Sequence, residues 1–400
     1  MLIEFSVSNF RSFRERQTFS MVAAPKLRKK ENVFVPVVKG EKIPALLKVA
    51  AIYGPNASGK SNLLKAMRIV RDIVDNPASE PLPAAPFRFD PLLAELPSRF
   101  EFHFICEEQR YKFDLAMKPE RIVEERLTAF PMGKETLLYE RLHTENGEQY
   151  RFGPQLEGGE LVHQAWRDLT GPKMLFIKQA VANSREALKQ LRIPFEWQTT
   201  GVVVCNEGMS RLASGALALA RTKPLMANRI VAFLGEIDVP VSEIKFKKMS
   251  DPESSAIFIH TTALGSASFE LDDESDGTKN LIGFWMPWVL MGSDISSRAG
   301  LAVVAVDELD SSLHPKIVAT LIEQHLQDEQ PPQLIFTTHD THLMDTKLLR
   351  RDQFWLTERD KNGATQLRSI HDFEGRESED LEKRYYEGRY RALPILRRSA

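Results

Sequence analysis

Apolar and polar positions alternate from the first residues. Residues 2–7 (LIEFSV) read as a half-buried strand, and 9–16 (NFRSFRER) follow as a polar, aromatic turn. Residues 49–53 (VAAIY) form a short apolar run of the buried-strand type, and behind it 62–75 (NLLKAMRIVRDIVD) set Leu63, Met67, Val70 and Val74 on one helical stripe. Six prolines between 77 and 97 mark a loop. Residues 99–105, 110–117, 122–130 and 136–143 then read as short strands of a meander, with turns at 107–109 and 118–120. From 157 to 233 the pattern becomes mostly helical (180–191, 211–220, 227–234), apart from a strand-like run at 201–205. Residues 241–248 and 256–262 return to strand patterning. Two continuous apolar runs, 301–306 (LAVVAV) and 333–338 (QLIFTT), have the character of central parallel strands, each expected to lead through a polar turn into a helix. No internal repeat or long heptad run is present. The expectation is an α/β protein.

The 400 residues carry 53 Lys and Arg against 55 Asp and Glu, a formal charge of −2. That balance argues against retention on nucleic acid or membrane by bulk positive charge. Locally, residues 11–48 hold ten basic and three acidic side chains, a net of +7. This stretch reads either as a solvated loop or as a contact surface for a phosphate-bearing partner. Cys106 and Cys205 are too few for a disulfide framework or a cysteine zinc site and fit a reducing cytoplasm. Residues 1–20 have no signal-peptide pattern, and the most apolar stretch, 281–291, is far short of the roughly 20 residues that span a bilayer. A cytoplasmic protein without a membrane partner is expected.

Gly54-Pro55-Asn56-Ala57-Ser58-Gly59-Lys60-Ser61 matches G-x-x-x-x-G-K-[ST] in full, between a buried strand and an amphipathic helix that continues with Asn62. In such a loop the backbone N–H groups cradle phosphates, Lys60 adds positive charge and the Ser61 hydroxyl ligates Mg²⁺. The run 301–306 ends in Asp307-Glu308. Asp307 is expected to orient Mg²⁺ and its waters, and Glu308 to act as general base toward the attacking water. His339 closes the next apolar run, where an imidazole can reach the terminal phosphate or that water. Ser275-Asp276-Gly277 opens a helix before Asp307. A hydroxyl and free N–H groups at a helix start make a second anion site, which suggests service to another subunit's nucleotide.

The order P-loop, Ser-x-Gly helix, strand-Asp-Glu, strand-His resembles the ATP-binding-cassette (ABC) ATPases of the SMC and RecF type. Within them, ESDGTKNL, VDELDSSLHP and the tail YYEGRYRAL look like the stand-alone AAA/OLD-type ATPases of prokaryotic defence, such as the RloA-, AbiL- and AriA-like proteins. The resemblance implies an ABC-ATPase head, with a mixed P-loop sheet, an antiparallel β meander and a helical insertion. It divides the chain into an N-terminal lobe (1–156), a partner-binding insertion (157–250) and a C-terminal lobe (251–400). It also implies ATP and Mg²⁺, with Arg11 near the adenine and α-phosphate, Lys60, Glu308 and His339 in hydrolysis, and Ser275–Gly277 facing a partner's ATP in a head-to-tail homodimer or higher oligomer. The transporter Ser-Gly-Gly is Ser-Asp-Gly in this chain, and neither Gln109 nor Gln179 makes a convincing Q-loop residue.

The segment between the lobes is too short for long coiled-coil arms, and no Cys-x-x-Cys hook is present. The 61 residues after His339 offer no expected nuclease domain. A separate effector, a Toprim-like or other nuclease, is therefore the expected partner. The alternative is a RecF-like repair protein that clamps DNA, so nucleic acid remains open as a partner. An AAA+ remodelling ring would have no need of Ser275–Gly277.

Overall fold

The computed structural model describes residues 1–77, 79–185, 188–206, 208–247, 256–291, 300–311, 313–376 and 379–393. Strands β1 (Leu2–Ser8) and β2 (Gln17–Ser20) are followed by the short pair β3 (Val33–Phe34) and β4 (Leu46–Leu47), then by β5 (Val49–Tyr53). Helices α1 (Lys60–Met67), α2 (Ile69–Asp75) and α3 (Pro91–Ala94) lead to β6 (Ser98–Cys106), β7 (Gln109–Lys118), β8 (Arg121–Ala129), β9 (Thr136–Thr144) and β10 (Gly147–Phe152). Next come α4 (Glu160–Leu169), α5 (Phe176–Ala182), α6 (Arg192–Thr199), β11 (Val202–Cys205), α7 (Met209–Thr222) and α8 (Pro224–Glu236). Strands β12 (Val241–Phe246), β13 (Ala256–Thr262) and β14 (Gly265–Glu270) precede α9 (Asp276–Met291). The chain continues through β15 (Val303–Val306), α10 (Pro315–Gln327), β16 (Gln333–Thr337), β17 (Phe354–Arg359), β18 (Thr365–Ser369) and α11 (Leu381–Tyr386).

The central sheet has the order β11-β15-β16-β5-β17-β18, parallel except for β18. Its unbroken apolar runs follow from burial on both faces. Ala50 and Ile52 of β5, Val303 and Ala305 of β15, and Ile335 of β16 enter one core. Val49, Ala51 and Tyr53, Val304 and Val306, and Leu334 and Phe336 enter the other.

The first core is closed by the antiparallel sheet β10-β9-β8-β7-β6-β1-β2, with α1 and α2 packed into it. The meander strands fall where their alternation predicts, and β10 extends them. The second core takes α7, α8, α9, α10 and the C-terminal segment. The architecture is mixed α/β, with the P-loop segment on a largely parallel sheet and an antiparallel β meander packed against one of its faces.

The helical stretch 157–250 is interwoven with both cores. Trp166, Phe176 and Trp197 join the first, where Trp197 stacks on Phe104 at 4.0 Å, whereas Leu217, Ile230 and Phe233 join the second. Its strand β11 pairs with β15. Buried Glu125 ties α5 to the meander, accepting bonds from Phe176 N (2.7 Å), Ile177 N (3.0 Å) and Tyr139 Oη (2.9 Å).

Two local readings shift. The helix expected over 180–191 stops at Ala182, where Asn183 Nδ2 and Ser184 Oγ donate back to the carbonyls of Gln179 and Ala180; residues 186–187 lie outside the described set. After β16 the chain makes only a short 3₁₀ turn, Thr341–Leu343, rather than an α-helix. The expected strand end at Lys248 also lies outside the described residues.

Candidate nucleotide site

The carboxyl ends of β11, β15, β16 and β5 lie side by side, and the crevice outside such ends is where open α/β sheets bind ligands. The P-loop segment leaves β5 there. Gly54 (φ 150°), Ala57 (φ 60°) and Gly59 (φ 110°) adopt positive φ, so the loop curls back into α1. A Cβ at Gly54 would strike Thr357, and one at Gly59 would strike Thr365. Both glycines are therefore required by contact as well as by conformation.

The loop is clamped from outside its own motif. Ser58 Oγ and Thr357 Oγ1 are 2.6 Å apart, and Thr365 Oγ1 donates to Ser58 O at 2.8 Å. Asn62 Nδ2 and Thr365 Oγ1 both reach Ser12 Oγ at 2.8 Å. Ser12 belongs to the aromatic turn, whose Phe10 and Phe13 are buried while Asn9 is bonded to the 87–97 loop. The turn thus touches the P-loop through Ser12; Arg11, exposed at φ 51°, makes no hydrogen bond to the loop. Asn56 and Ala57 are exposed at the loop's tip, and Pro55 is half-buried.

Lys60 is buried, and its Nζ donates to Gly54 O (2.8 Å) and Pro55 O (3.3 Å) and meets His339 Nε2 at 3.0 Å. Burial lowers the Lys60 pKa, opposed by the negative field of Asp307, Glu308 and Asp310. The His339 pKa is lowered by burial and then by Lys60. A Lys60 ammonium can donate to Nε2 only when that nitrogen carries no proton, an arrangement that would place the His339 proton on Nδ1.

Asp307 and Glu308 follow β15. Buried Thr337, the last residue of β16, donates from Oγ1 to Asp307 Oδ1 at 2.6 Å, and the same oxygen accepts Glu308 N–H at 2.8 Å. Glu308 has φ 52°, a left-handed conformation that is unusual for a non-glycine residue. Its side chain is exposed and Asp307 is half-buried. Lys60, His339, Asp307 and Glu308 thus gather at one edge.

Ser275, Asp276 and Gly277 open α9. Ser275 Oγ accepts Thr278 N–H at 3.1 Å and caps α9, and Ser275 and Asp276 are exposed. Among the described residues, no hydrogen bond or ion pair joins them to the P-loop.

The residues suit a magnesium nucleotide. The positive-φ cradle and Lys60 match phosphate, while the Ser61 hydroxyl and the Asp307 carboxylate are the hard oxygen donors that Mg²⁺ takes. Pattern reading missed Ser12, Thr337, Thr357 and Thr365, which are ordinary polar residues until the fold assembles them. Asn206 directly follows β11. Asp307 N donates to Cys205 O at 2.9 Å, so Asn206 is one strand from the acidic pair. The strand-like run at 201–205 was the available signal. Gln109 opens β7 of the other sheet and Gln179 lies within α5, so neither follows a strand that ends at this edge.

No curated protein matches the sequence. Among solved structures, the chain is similar to an SMC head domain from Thermotoga maritima, at 15% identity, covering 92% of this chain and 98% of that one, with a TM-score of 0.41. It is also similar to an Smc head domain with an extended coiled coil derived from Pyrococcus furiosus, bound to the C-terminal domain of ScpA, at 12% identity, 97% and 98% coverage and a TM-score of 0.43. Residues 49–157 and 207–345, more than half of the chain, match the family described as "AAA domain, putative AbiEii toxin, Type IV TA system". By that match the chain belongs to this AAA-domain family.

Proposed function

We propose that the protein binds and hydrolyses ATP and uses the cycle to regulate a separate effector. The observation that carries this reading is the convergence of Lys60, His339, Asp307 and Glu308 on one edge of the central sheet, with Thr337 tying the acids together. In this reading, Lys60 exchanges its loop carbonyls for the terminal phosphates. Ser61 and Asp307 hold Mg²⁺, which supplies charge neutralisation at the phosphate oxygens. Glu308 takes the proton of the attacking water, and neutral His339 orients that water or a γ-phosphate oxygen.

Exposed Ser275 at the start of α9, with no hydrogen bond to its own P-loop among the described residues, supports a head-to-tail homodimer in which Ser275–Gly277 close on the partner's ATP. The family description, which names a toxin of a type IV system, supports a role in prokaryotic defence with a nuclease or other effector supplied separately. The 157–250 stretch is proposed to carry the effector contact, since Leu161 and Leu225 are exposed on α4 and α8. A DNA clamp is less well supported. Of the basic residues in 11–48, Arg14, Arg16 and Lys39 are ion-paired, and buried Lys48 donates to Leu326 O and Asp328 O.

The test is Glu308→Gln. It should bind ATP, hydrolyse it slowly and accumulate dimer on size exclusion, and it can serve as bait for the effector with ATP held. Wild-type turnover in Glu308→Gln would remove Glu308 as base. Ser275→Arg should bind ATP without dimerising, and undiminished hydrolysis there would refute the shared site.

A further inference from the structure

A cleft of about 850 Å³ opens beside the P-loop, and the C-terminal segment forms its far wall. Its lining includes Gly54, Asn56 and His339 from the P-loop edge, Glu358 and Arg359 from the end of β17, and Tyr386 and Arg391 from the C-terminal segment. Because Lys60 Nζ bonds to Gly54 O and His339, this mouth adjoins the position of the phosphate-binding ammonium.

The wall is firmly built. Leu381, Tyr385, Tyr390 and Ala392 are buried in the second core, and Tyr385 Oη donates to Ala392 O at 2.9 Å. Thr341, two residues after His339, donates to Glu382 Oε1 at 2.7 Å and lies 3.0 Å from Tyr386 Oη. Between the buried side chains of Tyr390 and Ala392, Arg391 takes φ 60° and is exposed. Among the described residues its guanidinium has no ion pair or hydrogen bond. A strained backbone fixed between two anchors, presenting an unpartnered cation to a phosphate-binding loop, suits a ligand contact better than a stabilising one. The other arginine of the cleft, Arg359, lies against the Gly363 turn and Phe89 instead.

We propose that Arg391 contacts the terminal phosphate of the nucleotide held by the P-loop of the same chain, so that the C-terminal segment distinguishes ATP from ADP. This rests on the ATP-binding reading above. It makes the tail part of the nucleotide site and joins it, through Thr341, to the segment that carries His339.

Calorimetric titration of the full chain with MgATP and MgADP tests it. Arg391→Gly is the informative variant, because glycine accepts φ 60° without strain and the lost side chain has no partner among the described residues. Its ATP affinity should fall roughly 10- to 100-fold, the range for losing a hydrogen bond to a charged group, while ADP affinity is unchanged. Arg391→Lys, which keeps the charge, should recover part of the loss. Unchanged ATP affinity in Arg391→Gly, or equal losses for both nucleotides, would overturn the proposal. So would an equal ATP-selective loss in Arg359→Ala. ATP binding by wild type that vanishes in Lys60→Ala upholds the P-loop reading whatever Arg391 does, whereas absence of wild-type ATP binding removes both.

Discussion

Replacing Thr337 with valine separates positioning from chemistry at the acidic pair. The substitution keeps β-branching and shape at a buried position and removes only the hydroxyl. Two interactions go with it: the 2.6 Å bond to Asp307 Oδ1 and the 2.8 Å bond accepted from Glu308 N–H. A hydrogen bond to a charged group is worth about 1.5–3 kcal/mol, and half-buried Asp307 can recruit water, which favours the low end. Leaving the Glu308 N–H unpaired adds about 1 kcal/mol, for a total near 2–3 kcal/mol. The left-handed backbone of Glu308 costs about 1–2 kcal/mol, and the Thr337 oxygen helps to hold it in place.

Once that hold is lost, Glu308 should relax away from the attacking water. Steady-state ATPase assays should then show kcat reduced about 10- to 100-fold with ATP affinity preserved, because the P-loop is untouched. Denaturant unfolding followed by tryptophan fluorescence should show a lower midpoint at constant m. In a Glu308→Gln background, the same change should lower stability without slowing hydrolysis further. Wild-type kcat in Thr337→Val would refute the idea that this hydroxyl positions the base. An unchanged midpoint would refute the energetic assignment as well.

Glu125→Ala should cost about 3–5 kcal/mol in denaturant unfolding, because two N–H groups of α5 and the Tyr139 hydroxyl lose their acceptor inside the first core. Glu125→Gln should cost clearly less. His339, lowered by burial and Lys60, should titrate below 6.5 by NMR, whereas exposed His342, raised by its hydrogen bond to Asp340, should titrate above it. Lys60→Met should bring the His339 value up without restoring it fully, since burial is the larger cause. In the unfolded chain this histidine gains its proton near 6.5, so its neutral burial contributes stability above that pH and loses it as pH falls. Wild type should therefore lose more stability than His339→Gln on acidification from pH 7 to pH 5. Lys60→Ala should abolish detectable ATP binding in the titration used for Arg391.

The P-loop and the two strands that carry Asp307 and His339 were legible because their chemistry is local. A glycine pattern fixes the loop, and burial on both faces writes an unbroken apolar run. Strand β11 was legible only as a strand. Four residues among helices do not say which strand they join, and their partner β15 lies about 100 residues away. Ser12, Thr357 and Thr365 carry no pattern of their own, and β17 and β18, which present the two threonines, did not stand out in the pattern. The tail was visible as a motif, but not as a wall of the cleft, because its contact with Thr341 spans more than 40 residues.

The central sheet explains why one site needs so much of the chain. Its two faces feed two cores that close on different segments: the meander, the aromatic turn and α5 on one side, α7 to α9 and the tail on the other. The P-loop and the acidic pair sit where both cores reach the same strand ends. Ser12 steadies the loop from the first core, while Arg391 and Tyr386 approach the cleft from the second. Ser275 caps α9, which packs through Phe284 on Phe233 of α8 in that second core. A change at the terminal phosphate can therefore bear on the tail directly, and on the Ser275 end of α9 through the core they share. Coupling of nucleotide state to a partner surface follows from this arrangement only if both second-core segments respond. Variants at Arg391 should then weaken ATP-dependent dimerisation even though Ser275–Gly277 are intact. Full dimerisation in Arg391→Gly at saturating ATP would confine Arg391 to nucleotide discrimination.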